Sequence, residues 1–241
     1  MPIAPQAAGS RGSFILQADC LPLPSAAHIA LQRVCFDPAA FTPVCYEQAG
    51  ILLPDSLQRA APKRLGEFLA GRLAAREALR RVGLGDHVVA IGSAREPRWP
   101  AGFEGSISHS LLQGSGMALC AVRRGQAGIG LDLEAWLEDG QACELWPGIV
   151  NDEEWGRLQR CPLGPALGLT LVFSAKESLF KALYPRVGRY FDFLDARWLA
   201  MTEQTLTLEL KSALTPELPV GWHCTLHWQR LPGGVLTTLV L

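Results

Sequence analysis

Two stretches of helical periodicity, residues 62–82 and about 165–183, each followed by short apolar runs, constrain this chain most. In the first, Pro62 suits the first helical position and Gly83 the stop just past the last turn. Leu65, Leu69, Leu73 and Leu79 form a stripe, with Arg64, Arg72, Arg76 and Arg80 on the neighbouring side. The second is expected to run from Pro165 and to be stopped by Pro185. Between them, Met117–Val122 and Gly128–Glu134 flank a charged turn at 123–126 and read as a hairpin. Asn151-Asp-Glu-Glu154 reads as a capped helix start. Residues 205–210, 222–228 and 235–241 alternate apolar with polar and suggest a small antiparallel sheet. Residues 1–60, rich in Pro, Ala and Gly, read as irregular or short-strand structure. Helix then strands, twice over, predicts an α+β fold of two similar halves, 1–125 and 126–241. No internal sequence repeat marks them.

Hydrophobic residues make up 49% and charged residues 19% of the chain, enough for a sizeable core. A net charge of −1 argues against a nucleic-acid or anionic-membrane binder, so an anionic ligand needs a local basic cluster. The seven cysteines form no Cys-x-x-Cys pair, which favours reduced thiols over a disulfide framework or zinc ribbon. The start, Met1-Pro-Ile-Ala-Pro5, has no charged and then apolar leader pattern. No apolar run reaches the roughly 18 residues of a bilayer span. A soluble, cytoplasmic protein is expected.

Asp132 and Glu134, two residues apart on an expected strand, project from one face. Adjacent carboxylates repel unless they are solvated or share a cation. The apolar neighbours Ile129, Leu131 and Leu133 argue for half-burial, and a hard cation such as Mg²⁺ would resolve the conflict. A strand end whose acids face water is the ordinary alternative. Glu177 and Lys181 stand one helical turn apart. They are either a surface ion pair or a third metal-binding carboxylate beside a phosphate-neutralising ammonium. Ser174-Ala-Lys-Glu177 also matches a capping box, though the apolar periodicity begins earlier, near Leu167. The arginine face of the first helix is either solvated or a phosphate grip through Arg64 and Arg72. His109 is a lone histidine among serines, more often structural than ligating. His223, Cys224 and His227 do not converge on a strand, so zinc is rejected.

Three blocks carry a resemblance: Ser106-Ile-Ser-His-Ser110, Gly128-Ile-Gly-Leu-Asp-Leu-Glu134 and Phe173-Ser-Ala-Lys-Glu-Ser-Leu-Phe-Lys181. In this order and spacing they resemble the 4′-phosphopantetheinyl transferases of the long monomeric, surfactin-synthetase-activating or enterobactin type. The segment from Lys63 to Arg72 is similar to the family's arginine-bearing helix, and the likeness covers roughly residues 60–195. It implies two α+β halves about a pseudo-twofold axis, with coenzyme A in the cleft between them. Asp132, Glu134 and Glu177 would hold Mg²⁺, or Mn²⁺, on the coenzyme A pyrophosphate, with Asp132 and Lys181 at the cofactor. Ser108 and His109 would touch phosphate, His109 the 3′-phosphate. Arg64, Arg72 and Arg95 would hold the 3′-phosphoadenosine end. Phe173 departs from the family's usual Trp, and Arg95-Glu-Pro from the Gly-Lys-Pro of some relatives.

The implied reaction is attack by a serine hydroxyl of an apo acyl- or peptidyl-carrier protein on the phosphorus bearing the pantetheine arm, releasing 3′,5′-ADP. Glu177 would take the proton and Lys181 would stabilise developing charge. Fatty-acid, polyketide, peptide or siderophore synthesis would consume the holo-carrier. Two competing readings are a Mg²⁺-dependent nucleotide pyrophosphate hydrolase and a non-catalytic coenzyme A-binding module.

Overall fold

The computed structural model describes residues 12–23, 26 and 29–241, so the expectation about Met1–Pro5 lies outside the described residues. The N-terminal half contains β1 (Ile15–Leu21), β2 (Ala30–Phe36), α1 (Val44–Ala49) and α2 (Pro62–Arg81). It continues with β3 (Ala90–Ile91), β4 (Pro97–Arg98), β5 (Phe103–Leu112) and β6 (Ser115–Arg124). Four of these strands form an antiparallel sheet in the order β1-β2-β6-β5. Helix α2 begins at Pro62, as expected, and its small residues Ala70, Ala74, Ala75 and Ala78 are fully buried. Small side chains let it lie close against Val34, Phe36, Ala118, Cys120 and Val122 of the sheet.

In the described part of residues 1–60 the short-strand expectation holds: β1 and β2 are each seven residues long, and β2 lies inside the sheet between β1 and β6. Both its faces are covered: Val34 and Phe36 meet α2, while Leu31 points to the other half, which blurs the alternation a half-buried strand would show. The hairpin is not formed by 117–122 with 128–134. Strand β6 turns back on β5 through Gln113 and Gly114, both at positive φ (52° and 85°). Such a two-residue turn matches the right-handed strand twist, and its glutamine hid it.

The C-terminal half contains β7 (Ile129–Ala135), α3 (Asp139–Leu145), α4 (Asp152–Leu158) and α5 (Pro165–Val187). Then come β8 (Ala196–Met201), β9 (Thr205–Leu210), β10 (His223–Leu231) and β11 (Gly234–Val240). The sheet order is β7-β11-β10-β9-β8, again antiparallel. Asn151 caps α4 in a reciprocal box with Glu154, as read from the sequence. Pro185 does not stop α5, which runs on to Val187 and ends at Gly188 in the left-handed conformation. A proline so near a helix end forfeits one backbone bond and little else. Ser174 lies inside this helix and so caps nothing.

Each half is thus a long helix laid across an antiparallel sheet, the α+β arrangement expected. Between the halves, Leu31, Leu119 and Ala121 pack on Ile129, Leu131, Leu133 and Leu236. Burying each such leucine contributes about 1.5–3 kcal/mol. Where β5 meets β7, serine hydroxyls take the place of a ladder: Ser106 Oγ accepts from Leu131 N (2.9 Å) and Ser108 Oγ from Leu133 N (3.1 Å).

Helix α5 approaches β7 so closely that a Cβ at Gly130 would land on the Ser178 carbonyl oxygen. Backbone cannot yield there as a flexible side chain would. Gly130→Ala is therefore expected to lower stability by about 2 kcal/mol or more, read as a lower urea midpoint at unchanged m-value.

Candidate active site

Strand alternation decides which way β7 points its acids. Leu131 and Leu133 fill the core between the halves, so Asp132 and Glu134 face α5. Glu177 and Lys181, one turn apart on α5, share that interface. Asp132 is only 2% exposed, so its partners matter. Lys181 Nζ donates to Asp132 Oδ1 at 2.6 Å, to Leu131 O at 3.2 Å and to Ser108 Oγ at 3.3 Å. Ser108 Oγ donates to the same Oδ1 at 2.9 Å. One carboxylate oxygen thereby ties β5, β7 and α5 together. The other, Oδ2, is buried and unpartnered.

One ammonium does not balance three acids. Burial, reinforced by the charge of Asp132, raises Glu134 to about 8. Burial and Asp132 also raise Glu177, against the pull of Lys181. Burial works against the Lys181 charge, but Asp132 and Glu177 outweigh it and raise Lys181 above its ordinary value. Among the described residues no three His, Cys, Asp or Glu side chains already form a metal-binding cluster, and Lys181 takes Asp132 Oδ1 instead. The donor chemistry nevertheless suits a hard cation, because three carboxylates feel one another's charge and Asp132 keeps a bare Oδ2.

Beyond Ser108, the same strand turns His109 towards α2. Arg64 Nη1 lies 2.9 Å from His109 Nε2, and since arginine only donates, Nε2 accepts and the ring proton sits on Nδ1. Nδ1 faces Glu67 Oε2 at 3.7 Å. Burial, then the nearby Arg64 and Lys181 charges, push His109 down to about 4, so the ring is neutral near pH 7. Arg72 is 6% exposed, stacks over Phe68 at 4.3 Å and leaves its Nε buried without an acceptor. Burial pushes it down to about 10. Arg64, Arg72, Arg95 and His109 line one cleft of about 440 Å³. Arg95 reaches it from the tight turn between β3 and β4, at φ 68°. A buried arginine with an orphan donor, beside the exposed Arg64 and Arg95, suits an anion.

The structure therefore gathers the expected residues into two adjoining groups: Asp132, Glu134, Glu177, Lys181 and Ser108 in one, and Arg64, Arg72, Arg95 and His109 in the other. Ser108, expected at phosphate, has its hydroxyl committed to three protein partners. Sequence reasoning missed Glu67, although its spacing from Arg64 puts both on one face of α2. It also missed Lys176, whose Nζ is buried against Ile149 O (2.8 Å) and Glu154 Oε1 (3.5 Å); burial pushes it down to about 8. Beside Glu177 opens a crevice of about 90 Å³ walled by Phe180, Tyr190, Phe191 and Phe193. A larger cavity, about 1130 Å³ and lined by Arg157, Trp198 and Trp228, touches none of these residues.

Against known proteins, residues 53–123 match the 4′-phosphopantetheinyl transferase N-terminal domain, and residues 128–232 match the 4′-phosphopantetheinyl transferase superfamily. Enterobactin synthase component D of Salmonella typhimurium is 40% identical over 218 residues, covering 90% of this chain and 87% of the relative. That of Escherichia coli (strain K12) is 39% identical over 217 residues, 89% and 94% of the two chains. The 4′-phosphopantetheinyl transferase Svp of Streptomyces mobaraensis is 37% identical over 164 residues, 65% and 64% of the two. The chain belongs to the 4′-phosphopantetheinyl transferase superfamily, a class of group-transfer enzymes, as its three sequence blocks anticipated.

The raised Glu134 makes stability pH-dependent. Its folded-state value lies above its unfolded one, so its contribution is whole below about 4.5 and is lost as pH rises through about 8. His109 acts oppositely, gaining stability as pH rises from about 4 to 6.5, and has finished by then. With EDTA present, the melting temperature should therefore fall between pH 6.5 and 8. Glu134→Gln should flatten that slope.

Proposed function

We propose that this protein transfers the 4′-phosphopantetheine arm of coenzyme A to a serine hydroxyl of an apo acyl- or peptidyl-carrier protein, releasing 3′,5′-ADP. The observation that carries this reading is the acidic knot of Asp132, Glu134 and Glu177 around Lys181, set beside a basic cleft. Coenzyme A has the matching two-part chemistry, a pyrophosphate at one place and a 3′-phosphoadenosine at another.

In this reading Arg64, Arg72, Arg95 and His109 hold the 3′-phosphoadenosine end. The unpartnered Arg72 Nε–H and the Arg64 fork supply donors to phosphate oxygens. Asp132, through its bare Oδ2, together with Glu134 and Glu177 would hold Mg²⁺. Held there, such an ion would supply positive charge to offset that of a pyrophosphate. Lys181, kept charged by its acidic neighbours, sits over Asp132 and faces the charge developing on the bridging oxygen. Ser108 keeps Asp132 and Lys181 in register. Glu177, made more basic by burial and by Asp132, accepts the proton of the attacking serine. The apolar crevice beside it offers the uncharged pantetheine arm a dry wall. No covalent enzyme intermediate is needed.

Both groups lie on one chain, so the site needs no residue from a second copy, which supports a monomer. Relatives named for enterobactin synthesis support a carrier protein of siderophore assembly as the acceptor.

The test is the intact mass of a purified apo-carrier protein after incubation with this protein, coenzyme A and Mg²⁺. Gain of one phosphopantetheine unit is expected, abolished by EDTA and reduced at least about 100-fold in rate by Glu177→Ala. Coenzyme A cleaved with no carrier modified would replace the transferase with a pyrophosphate hydrolase.

His109 supplies a second check. A bound 3′-phosphate should raise its value above the free protein's 4 or so, so binding takes up a proton and weakens as pH rises through the bound-state value. The affinity advantage of coenzyme A over its 3′-dephospho form should grow from pH 8 to 6. His109→Ala should abolish that growth, as measured by calorimetry.

A further inference from the structure

A helix packed on a sheet by apolar contacts alone can roll, because dispersion has little directional preference. Helix α5 carries Glu177 and Lys181, so its rotation about its own axis decides whether they meet Asp132. A rotation of about 10° swings the end of a glutamate side chain by about 1 Å, and a misplacement of that size costs about 100-fold in rate. Something directional must fix the angle.

Thr237 on β11 is the in-register partner of Asp132 on β7, so the two side chains stand next to each other on the face that meets α5. It is fully buried. Its Oγ1 donates to Ser174 O at 2.9 Å and lies 2.9 Å from Ser174 Oγ and 2.8 Å from Ser178 Oγ. Ser178 Oγ also lies 3.1 Å from Thr237 O. Both serines are fully buried. A hydroxyl has one proton and two acceptor sites. With that proton on the Ser174 carbonyl, Oγ1 can only accept from the serine hydroxyls, and Ser178 shares its one proton between Oγ1 and the Thr237 carbonyl. The serines are one turn apart and bracket Glu177, and Lys181 follows Ser178 by three. The flanking contacts of β11 on this face, Val235 and Leu239, are apolar.

We propose that Thr237 is a positioning residue for the transfer reaction: its hydroxyl pins Ser174 and Ser178, and so fixes the rotation of α5 that presents Glu177 and Lys181 to Asp132. The inference rests on the reading that Glu177 and Lys181 carry the chemistry. Thr237 lies outside all three sequence blocks and beyond the last residue matched to the superfamily, 232. It touches no reacting atom and acts only through the helix.

Thr237→Val keeps the shape and removes the hydroxyl; Thr237→Ser keeps the hydroxyl and removes a methyl. Turnover with coenzyme A, Mg²⁺ and apo-carrier is measured for the full chain, alongside melting by circular dichroism. Thr237→Val should lower kcat about 10- to 100-fold, with KM for coenzyme A changed less than about 3-fold, because the basic cleft is untouched. Thr237→Ser should melt below the wild type, having lost packing, yet keep kcat within about 3-fold. A purely structural threonine would make activity follow packing, so wild-type kcat in Thr237→Val, or equal losses in both variants, overturns the proposal. Should Thr237→Val fail to fold, Ser178→Ala removes one donor and leaves the threonine in place; kcat should fall several-fold, and an unchanged value is equally fatal. Glu177→Gln separates the levels. If it is inactive while Thr237→Val is fully active, only the positioning role falls; if Glu177→Gln turns over normally, the catalytic reading falls and takes the positioning role with it.

Discussion

Removing a carboxylate from water costs several kcal/mol unless geometry and partners repay it, and Asp132 is almost wholly removed. Its repayment comes from outside its own strand. Ser108 on β5 belongs to the N-terminal half and Lys181 on α5 to the C-terminal half, and both reach the same oxygen. The hydroxyl of Ser108 also holds the Leu133 amide, so one side chain stitches the sheets together and solvates the buried acid at once. Directional bonds therefore join the halves at the candidate site itself. A change there loosens the interface and the site together.

The electrostatics are unfinished on both sides. The C-terminal group has more acid than cation and an open Oδ2, and the N-terminal cleft has clustered arginines, one with an orphan donor. Each imbalance raises the energy of the free protein, and each is relieved by a ligand of opposite chemistry. A pyrophosphate with its divalent ion on one side and a phosphate monoester on the other would relieve both. Lys176, by contrast, is complete: it is buried with the Ile149 carbonyl and Glu154, and Glu154 also accepts from the Trp198 and Asn151 amides. That pair anchors the far side of α5 to α4 and β8.

What the sequence revealed was chemistry carried by short spacings. A two-residue interval on a strand placed Asp132 and Glu134 on one face, and a four-residue interval on a helix did the same for Glu177 and Lys181. What it concealed depended on partners far away in the chain. Strand β2 is covered on both sides, so its alternation carried no signal. The hairpin at Gln113-Gly114 lacked the usual Asn-Gly, while the charged turn at 123–126, which looked like one, leads into another sheet. Ser108 is one of three serines in its block, and only the fold shows that its hydroxyl lies under Asp132. Thr237 reads as an ordinary strand threonine until β11 is placed beside β7.

That placement orders events in time as well as space. Strand β7 has a single sheet neighbour, β11, and roughly a hundred residues separate the paired positions. Closing so long a loop is entropically slow. During synthesis, β5 and β6 can fold back on α2 while β7, with its two acids exposed, still waits for its mate. The strand that carries Asp132 and Glu134 is then paired into its sheet only once β11 has been made. A nascent chain can form its arginine-lined cleft before that strand has a sheet to join.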